Sequence, residues 1–226
     1  MNLQNPASFV DHTLLRPNAT RSEILHLCEE AVEHGFAAVC IPPCFVRAAA
    51  ECVYGSEVAV ATVVGFPLGY ATSASKAFEA AEAVSAGATE VDMVINLGAA
   101  AEGRFADVED EIRRVVEAAS GAIVKVILET AHWDAATQTQ LTQRVISAGA
   151  HFVKTSTGFG PRGASLADVE TLVAAAAGKI GVKAAGGIRD WEFCRSLLQA
   201  GATRIGTSSG VAIMTEWRDS QEGQPR

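Results

Sequence analysis

Two lysines stand in short apolar runs that each lead straight into a glycine turn, Phe152-Val-Lys154-Thr-Ser-Thr-Gly158 and Gly181-Val-Lys183-Ala-Ala-Gly186-Gly187. Burial disfavours an ammonium, so a lysine in such a setting gives up its proton more readily than one in water. A second cation nearby strengthens the effect and leaves a free amine, the nucleophile that forms a Schiff base with a carbonyl. The chain holds five lysines against thirteen arginines, and two of the five occupy this setting. The pair points to carbonyl chemistry.

A carboxylate belongs with them. Asp92 lies in Val91-Asp-Met-Val-Ile-Asn96, where alternation puts Asp92, Val94 and Asn96 on one face of a strand. A lone buried carboxylate is costly and needs a cationic partner, for which Lys154 and Lys183 are the natural candidates. A structural ion-pair network is the alternative reading, since such networks also perturb pKa values. Two ammonium groups against one carboxylate leave excess positive charge, which favours an activated amine. Lys125, in Ile123-Val-Lys-Val-Ile-Leu-Glu129, is the rival lysine and sits deeper along its strand, in a supporting place. Polar residues also end other strands: Asp11, Cys40, and Glu129 with Thr130.

The elements that position these residues follow from a recurring phrase, a helical segment closed by glycine and followed by a β-rich run. It occurs around Gly35, Gly87, Gly149 and Gly201. Apolar runs bounded by turn residues predict eight strands: Phe9–Thr13, Ala37–Ile41, Val58–Gly65, Glu90–Asn96, Ile123–Glu129, His151–Thr155, Gly181–Ala184 and Arg204–Thr207. Between them, Ser75–Ala86, Val108–Ala119, Ala136–Ala148 and Asp190–Ala200 read as amphipathic helices. Nearly continuous apolar strands suit a parallel sheet covered on both faces. Eight such units give a single-domain α/β fold, a (β/α)8 TIM barrel, over residues 1–214, with a flexible polar tail over 215–226. An open doubly wound sheet is the alternative, but no Gly-x-Gly-x-x-Gly follows the first strand. Catalytic residues of such a barrel project from the C-terminal ends of its strands, where Lys154, Lys183, Asp92 and Asp11 lie.

Three glycine-bearing turns follow the last three strands: Thr155-Ser-Thr-Gly158, Ala184-Ala-Gly-Gly187 and Gly206-Thr-Ser-Ser-Gly210. Their backbone N–H groups and hydroxyls suit a phosphate. The 226 residues carry a net charge of -8, without the basic patch of a nucleic-acid surface. No apolar run reaches the ~20 residues that cross a bilayer, and the N-terminus lacks the features of a signal peptide. Five cysteines, an odd number, fit reduced thiols in a cytoplasm, and their spacing completes no metal site. Cys40, at a strand end near the mouth, is either a small buried hydrophobe or a site for reactive aldehydes.

Eight segments in order resemble the deoxyribose-phosphate aldolase family. They are Asp11-His-Thr-Leu-Leu-Arg-Pro, Val39-Cys-Ile-Pro-Pro, Val64-Gly-Phe-Pro-Leu-Gly, Glu90-Val-Asp-Met-Val-Ile-Asn, Lys125-Val-Ile-Leu-Glu-Thr, Phe152-Val-Lys-Thr-Ser-Thr-Gly-Phe, Val182-Lys-Ala-Ala-Gly-Gly-Ile-Arg and Arg204-Ile-Gly-Thr-Ser-Ser-Gly. The likeness spans roughly residues 8 to 213. It implies a barrel aldolase without cofactor or metal, acting on a sugar phosphate and an aldehyde through a Schiff base, and forming a homodimer or larger homo-oligomer. By match, Lys154 would be the nucleophile, Lys183 its tuner, Asp92 part of a proton relay and Asp11 part of the hydrogen-bonded surroundings. Gly158, Gly186, Gly187, Ser208 and Ser209 would hold phosphate, with Thr157, Lys125 and Cys40 in support. Three features depart from the family: the loop Ala131-His-Trp-Asp-Ala-Ala136, a tail without tyrosine, and Phe159 where some members carry a basic residue.

Overall fold

The computed structural model describes residues 5–222. Eight parallel strands close into a barrel in sequence order: β1 (Val10–Thr13), β2 (Ala38–Ile41), β3 (Ala59–Val64), β4 (Glu90–Val94), β5 (Ile123–Ile127), β6 (Phe152–Lys154), β7 (Gly181–Ala185) and β8 (Arg204–Thr207). All eight coincide with the predicted runs to within two residues at each end. Around them lie α1 (Arg21–His34), α2 (Val46–Cys52), α3 (Ser73–Ser85), α4 (Leu97–Ala101), α5 (Phe105–Ala118), α6 (Ala135–Ser147), α7 (Leu166–Ala176), α8 (Trp191–Gln199) and α9 (Gly210–Glu222).

Helix starts follow their sequences. Thr20 and Glu23 form a reciprocal capping box on α1, while Thr72, Asp134, Ser165 and Asp190 cap α3, α6, α7 and α8 through their side chains. The four glycines of the recurring phrase all adopt positive φ, between 68° and 112°, and turn the chain from helix into strand. The polar tail read from residue 215 continues α9 as far as Glu222. It does so because Ile213 and Met214 are buried, Trp217 packs on the core, and the Glu216 carboxylate accepts the Trp191 N–H at 2.7 Å. Residues 223–226 of that tail lie outside the described residues.

Strand alternation sorts the core into two parts. Val39, Ile41, Val91, Met93, Val124, Val126, Val153, Val182 and Ile205 face outward and pack under the helices in one large apolar cluster. The inward set is divided. Ala38, Cys40, Ala61 and Val63 of β2 and β3 form a small apolar wall, whereas β1, β4, β5, β6, β7 and β8 turn charged side chains into the barrel. Such a core persists only where each charge is paired.

Candidate active site

Asp92 is the hub of the interior. Its Oδ1 accepts from Lys125 Nζ at 2.8 Å, and its Oδ2 accepts from both Lys154 Nζ and Lys183 Nζ at 2.7 Å. Register explains the convergence: Asp92 lies opposite Lys125 on the β4–β5 pair, and Lys154 lies opposite Lys183 on the β6–β7 pair. Asp11 of β1 pairs with Lys183 and accepts from Arg204 Nη1 at 2.6 Å. Lys183 has room to reach them because β8 carries Gly206 beside it. A Cβ at that position would lie 3.0 Å from Lys183 Cε.

The lysines differ in state. Burial, with Lys183 adding to it against the pull of Asp92, holds the Lys154 ammonium below the usual lysine range. Burial pushes Lys183 the same way, but Asp11 and Asp92 outweigh it and hold this lysine above its ordinary value. Lys125 is also raised, by Asp11, Asp92 and Glu90 against burial. Asp92 sits well below the carboxylate range, since its three lysines overcome the penalty of burial. One lysine is thus poised to lose its proton while two stay charged beside it.

Lys154 is also the lysine that meets open space. It lines a cavity of about 350 Å³ at the C-terminal mouth of the barrel, together with Thr157, Gly158, Gly186, Gly187 and Ser208. Lys183, Lys125, Asp92, Asp11 and Cys40 are fully buried beneath it. Of the residues matched to a phosphate, Gly158, Gly186, Gly187 and Ser208 stand on the cavity wall. Ser209 does not, and its N–H is bound to the Thr207 hydroxyl at 2.9 Å. Burial pushes the Cys40 thiol up, so it is neutral. Asn96, read on the face of Asp92, instead caps α4 by accepting the Ala99 N–H at 3.0 Å.

Glu129 and Thr157 stand out in the sequence only as a polar strand end and a supporting residue, and Arg16, Arg189, Glu90 and Arg204 are given no role there. Glu129 sits in the left-handed region at φ 55° and turns its carboxylate to the Thr157 N–H at 3.2 Å and to the Thr157 hydroxyl. Thr157 in turn accepts the Phe159 N–H at 3.0 Å, which sets the loop after β6. The Phe159 ring meets Phe66 edge-on at 5.4 Å between centroids, where a basic side chain was the family alternative. Arg16 and Arg189 also line the cavity and bring the positive charge that Phe159 lacks. Glu90 and Arg204, at the N-terminal ends of β4 and β8, complete the buried network. Alternation carried one step back from Asp92 would have found Glu90. Among the described residues, no group of three or more His, Cys, Asp or Glu side chains is placed to hold a metal.

Comparison with known proteins gives a consistent result. The profile of the DeoC/LacD family aldolases matches residues 7–216. A deoxyribose-phosphate aldolase of Syntrophotalea carbinolica is 51% identical over 220 residues, covering 97% of this chain and 100% of that protein. One from Thermus thermophilus is 51% identical over 208 residues, covering 92% and 94% of the two chains. The solved aldolase QR15 superimposes with a TM-score of 0.92 at 38% identity, over 97% of this chain and 98% of its own. The tetrameric deoxyribose phosphate aldolase of Aeropyrum pernix does so at 0.89 and 37% identity, over 95% and 91%. The chain belongs to the DeoC/LacD family of aldolases.

Proposed function

We propose that the protein reversibly cleaves 2-deoxy-D-ribose 5-phosphate to acetaldehyde and D-glyceraldehyde 3-phosphate through a Schiff base on Lys154. The observation that carries this reading is a buried lysine with a depressed pKa at the floor of a cavity walled by glycine turns. The curated relatives carry the name deoxyribose-phosphate aldolase along nearly their whole length.

The free amine of Lys154 adds to the C1 aldehyde of the open-chain sugar, and uptake of a proton with loss of water gives a protonated imine. That imine accepts the electron pair of the C2–C3 bond as it breaks, while the C3 hydroxyl gives up its proton. The products are D-glyceraldehyde 3-phosphate and a two-carbon enamine, which takes a proton at C2 and is hydrolysed to acetaldehyde. Asp92, accepting from Lys154 and Lys183, is the group set to move these protons, and Asp11 keeps Lys183 charged. Gly158, Gly186, Gly187 and Ser208 hold the phosphate through N–H groups and a hydroxyl, with Arg16 and Arg189 at the rim.

A homo-oligomer in the cytoplasm completes the proposal. It is supported by the exposed Tyr70 and Phe78 rings, by the tetramer of the Aeropyrum relative and by five unbridged cysteines. No helix among the described residues is long and apolar enough to cross a membrane.

Borohydride trapping with 2-deoxyribose 5-phosphate, followed by peptide mapping, tests the reading. A reduced two- or five-carbon adduct on Lys154 is expected. An adduct on Lys183 or Lys125 would reassign the nucleophile, and intact binding without any adduct would leave a sugar-phosphate-binding barrel.

A further inference from the structure

The charged interior does not end at the three lysines. Glu90 and Arg204 are the first residues of β4 and β8, so they lie at the closed end of the barrel, opposite the cavity. The Glu90 carboxylate pairs with Lys125 and stands 3.3 Å from Arg204 Nη1. Arg204 reaches on to Asp11 at 2.6 Å and lies over the Phe152 ring, 5.6 Å from its centroid. Lys125 links this floor to Asp92 at 2.8 Å and to Asp11 at 3.4 Å. A continuous ladder therefore runs from Arg204 and Glu90, through Lys125 and Asp11, to Asp92, Lys183 and finally Lys154.

The ladder holds three carboxylates and four cations, so with every group charged it carries one positive charge too many. Six of the seven have two or more partners of opposite sign. Lys154 has a single carboxylate, Asp92, which it shares with Lys125 and Lys183. It is also the group of the ladder that borders the cavity. The surplus is relieved most easily by loss of the Lys154 proton. In so dry an interior, a charge at the floor is felt at the mouth: Glu90 and Asp92 are two residues of strand apart, about 7 Å.

The geometry points to Glu90 and Arg204 as positioning residues for the reaction, which set from the floor of the barrel the charge that Lys154 feels at its mouth. This rests on the reading of Lys154 as the nucleophile. The groups that face Lys154 are otherwise accounted for by element. β4 brings Asp92, β7 Lys183, β2 the neutral Cys40 thiol, β5 Lys125 through Asp92, and β1 Asp11 through Lys183, while β3 carries no charged residue. Glu129, beyond β5, is turned to Thr157 instead, and Arg16 and Arg189, beyond β1 and β7, border the same cavity as Lys154.

Opposite shifts separate this role from a structural one, because both substitutions disturb the same packing but change the charge in opposite senses. The pH dependence of adduct trapping on Lys154 is measured for Glu90→Gln, Arg204→Gln and the double variant. Glu90→Gln removes a negative charge, so the acid limb should move to lower pH, by about one unit. Arg204→Gln should move it to higher pH by a similar amount, and the double variant should return near the parent. Glu90→Asp and Arg204→Lys keep the charge and should leave the limb in place. If one neutral variant does not fold, the sign of the shift in the other decides. Limbs that stay fixed, or that move the same way in both neutral variants, overturn the inference while leaving the Lys154 assignment intact. Absence of any Lys154 adduct in the parent protein would instead remove the reading on which it rests.

Discussion

Lys154 and Lys183 share one oxygen: Oδ2 of Asp92 accepts from both ammonium groups at 2.7 Å. Two cations on one acceptor cannot be equally comfortable. Lys183 has Asp11 as a second partner, whereas Lys154 has none, so the proton is weakly held on Lys154. The asymmetry between two lysines that lie opposite each other on neighbouring strands is what separates nucleophile from tuner.

Lys183→Met should therefore inactivate through protonation. With that charge gone, Lys154 keeps Oδ2 of Asp92 to itself, while Lys125 stays on Oδ1, and its pKa rises. Less free amine then remains at neutral pH, and the rate should fall about a hundredfold. Rates of cleavage across pH should show the acid limb displaced upward, with activity partly recovered in alkaline buffer. A loss that is the same at every pH would assign Lys183 some other task.

Gly186→Ala tests the phosphate wall. Gly186 stands at φ 91°, where an alanine is strained by roughly 1–2 kcal/mol. Its Cβ would press to 3.0 Å from Gly163 Cα, and the Ala164 N–H that bonds to the Gly186 carbonyl would move with it. Losing the aim of one backbone donor toward an anion should raise KM for 2-deoxyribose 5-phosphate about tenfold or more. Unphosphorylated 2-deoxyribose should lose little. Steady-state kinetics with both sugars give the comparison, and equal losses for the two would place the phosphate elsewhere.

Lys76 is the fourth buried lysine, and it serves the fold. It is fully buried on α3, donating to the carbonyls of Gly69 and Val94 at 2.6 and 2.8 Å and to Glu111 at 2.8 Å. It thereby ties the segment after β3 and α5 to the end of the strand that carries Asp92. Burial lowers the Lys76 pKa and raises that of Glu111, and each partner's charge pulls against that shift. Lys76→Met leaves Glu111 unpaired and should cost about 3–5 kcal/mol. Adding Glu111→Gln should restore part of that, because the Asn96 N–H can still be accepted. Urea unfolding of the single and double variants measures both. A double variant no more stable than Lys76→Met would mean that the charge left on Glu111 is not the source of the cost.

The barrel was legible because its signals are local. Glycine closing a helix recurs four times and apolar runs of strand length eight times, and strand alternation puts Asp92 on one face with Val94. Lys154 and Lys183 stood out because an ammonium in an apolar run needs a reason. Arg204 did not, since it begins its strand and looks like a boundary residue. Only closure of the barrel brings it within reach of Glu90, 114 residues earlier. Lys76 was hidden in the same way: among the Ala, Ser and Glu of α3 a lysine reads as surface, and its burial is decided by Glu111 on another helix. Ser209 had the right composition and the wrong direction, its N–H being spent on Thr207.

The loop over the cavity should respond to acid through Asp168. This carboxylate, at the start of α7, accepts from Thr130 Oγ1 at 3.1 Å, Gln138 Nε2 at 2.9 Å and Arg162 Nη2 at 3.0 Å. Burial pushes its pKa up, but the hydrogen bonds from Arg162, Ser165 and Gln138 outweigh that and bring it to about 2, below the ordinary 3.8. A carboxyl lowered on folding stabilises the folded state fully above its unfolded pKa. That share is lost as pH falls from about 4 through about 2. Asp168→Asn should be less stable than the parent at neutral pH, and the gap should narrow across this window. Arg162 is partly exposed, so solvent screens its share of the effect, and the remainder should come from the Ser165 and Gln138 hydrogen bonds. Urea midpoints measured between pH 5 and pH 2 check the sign. A gap that stays constant over that range would show that the Asp168 charge contributes nothing to holding the loop.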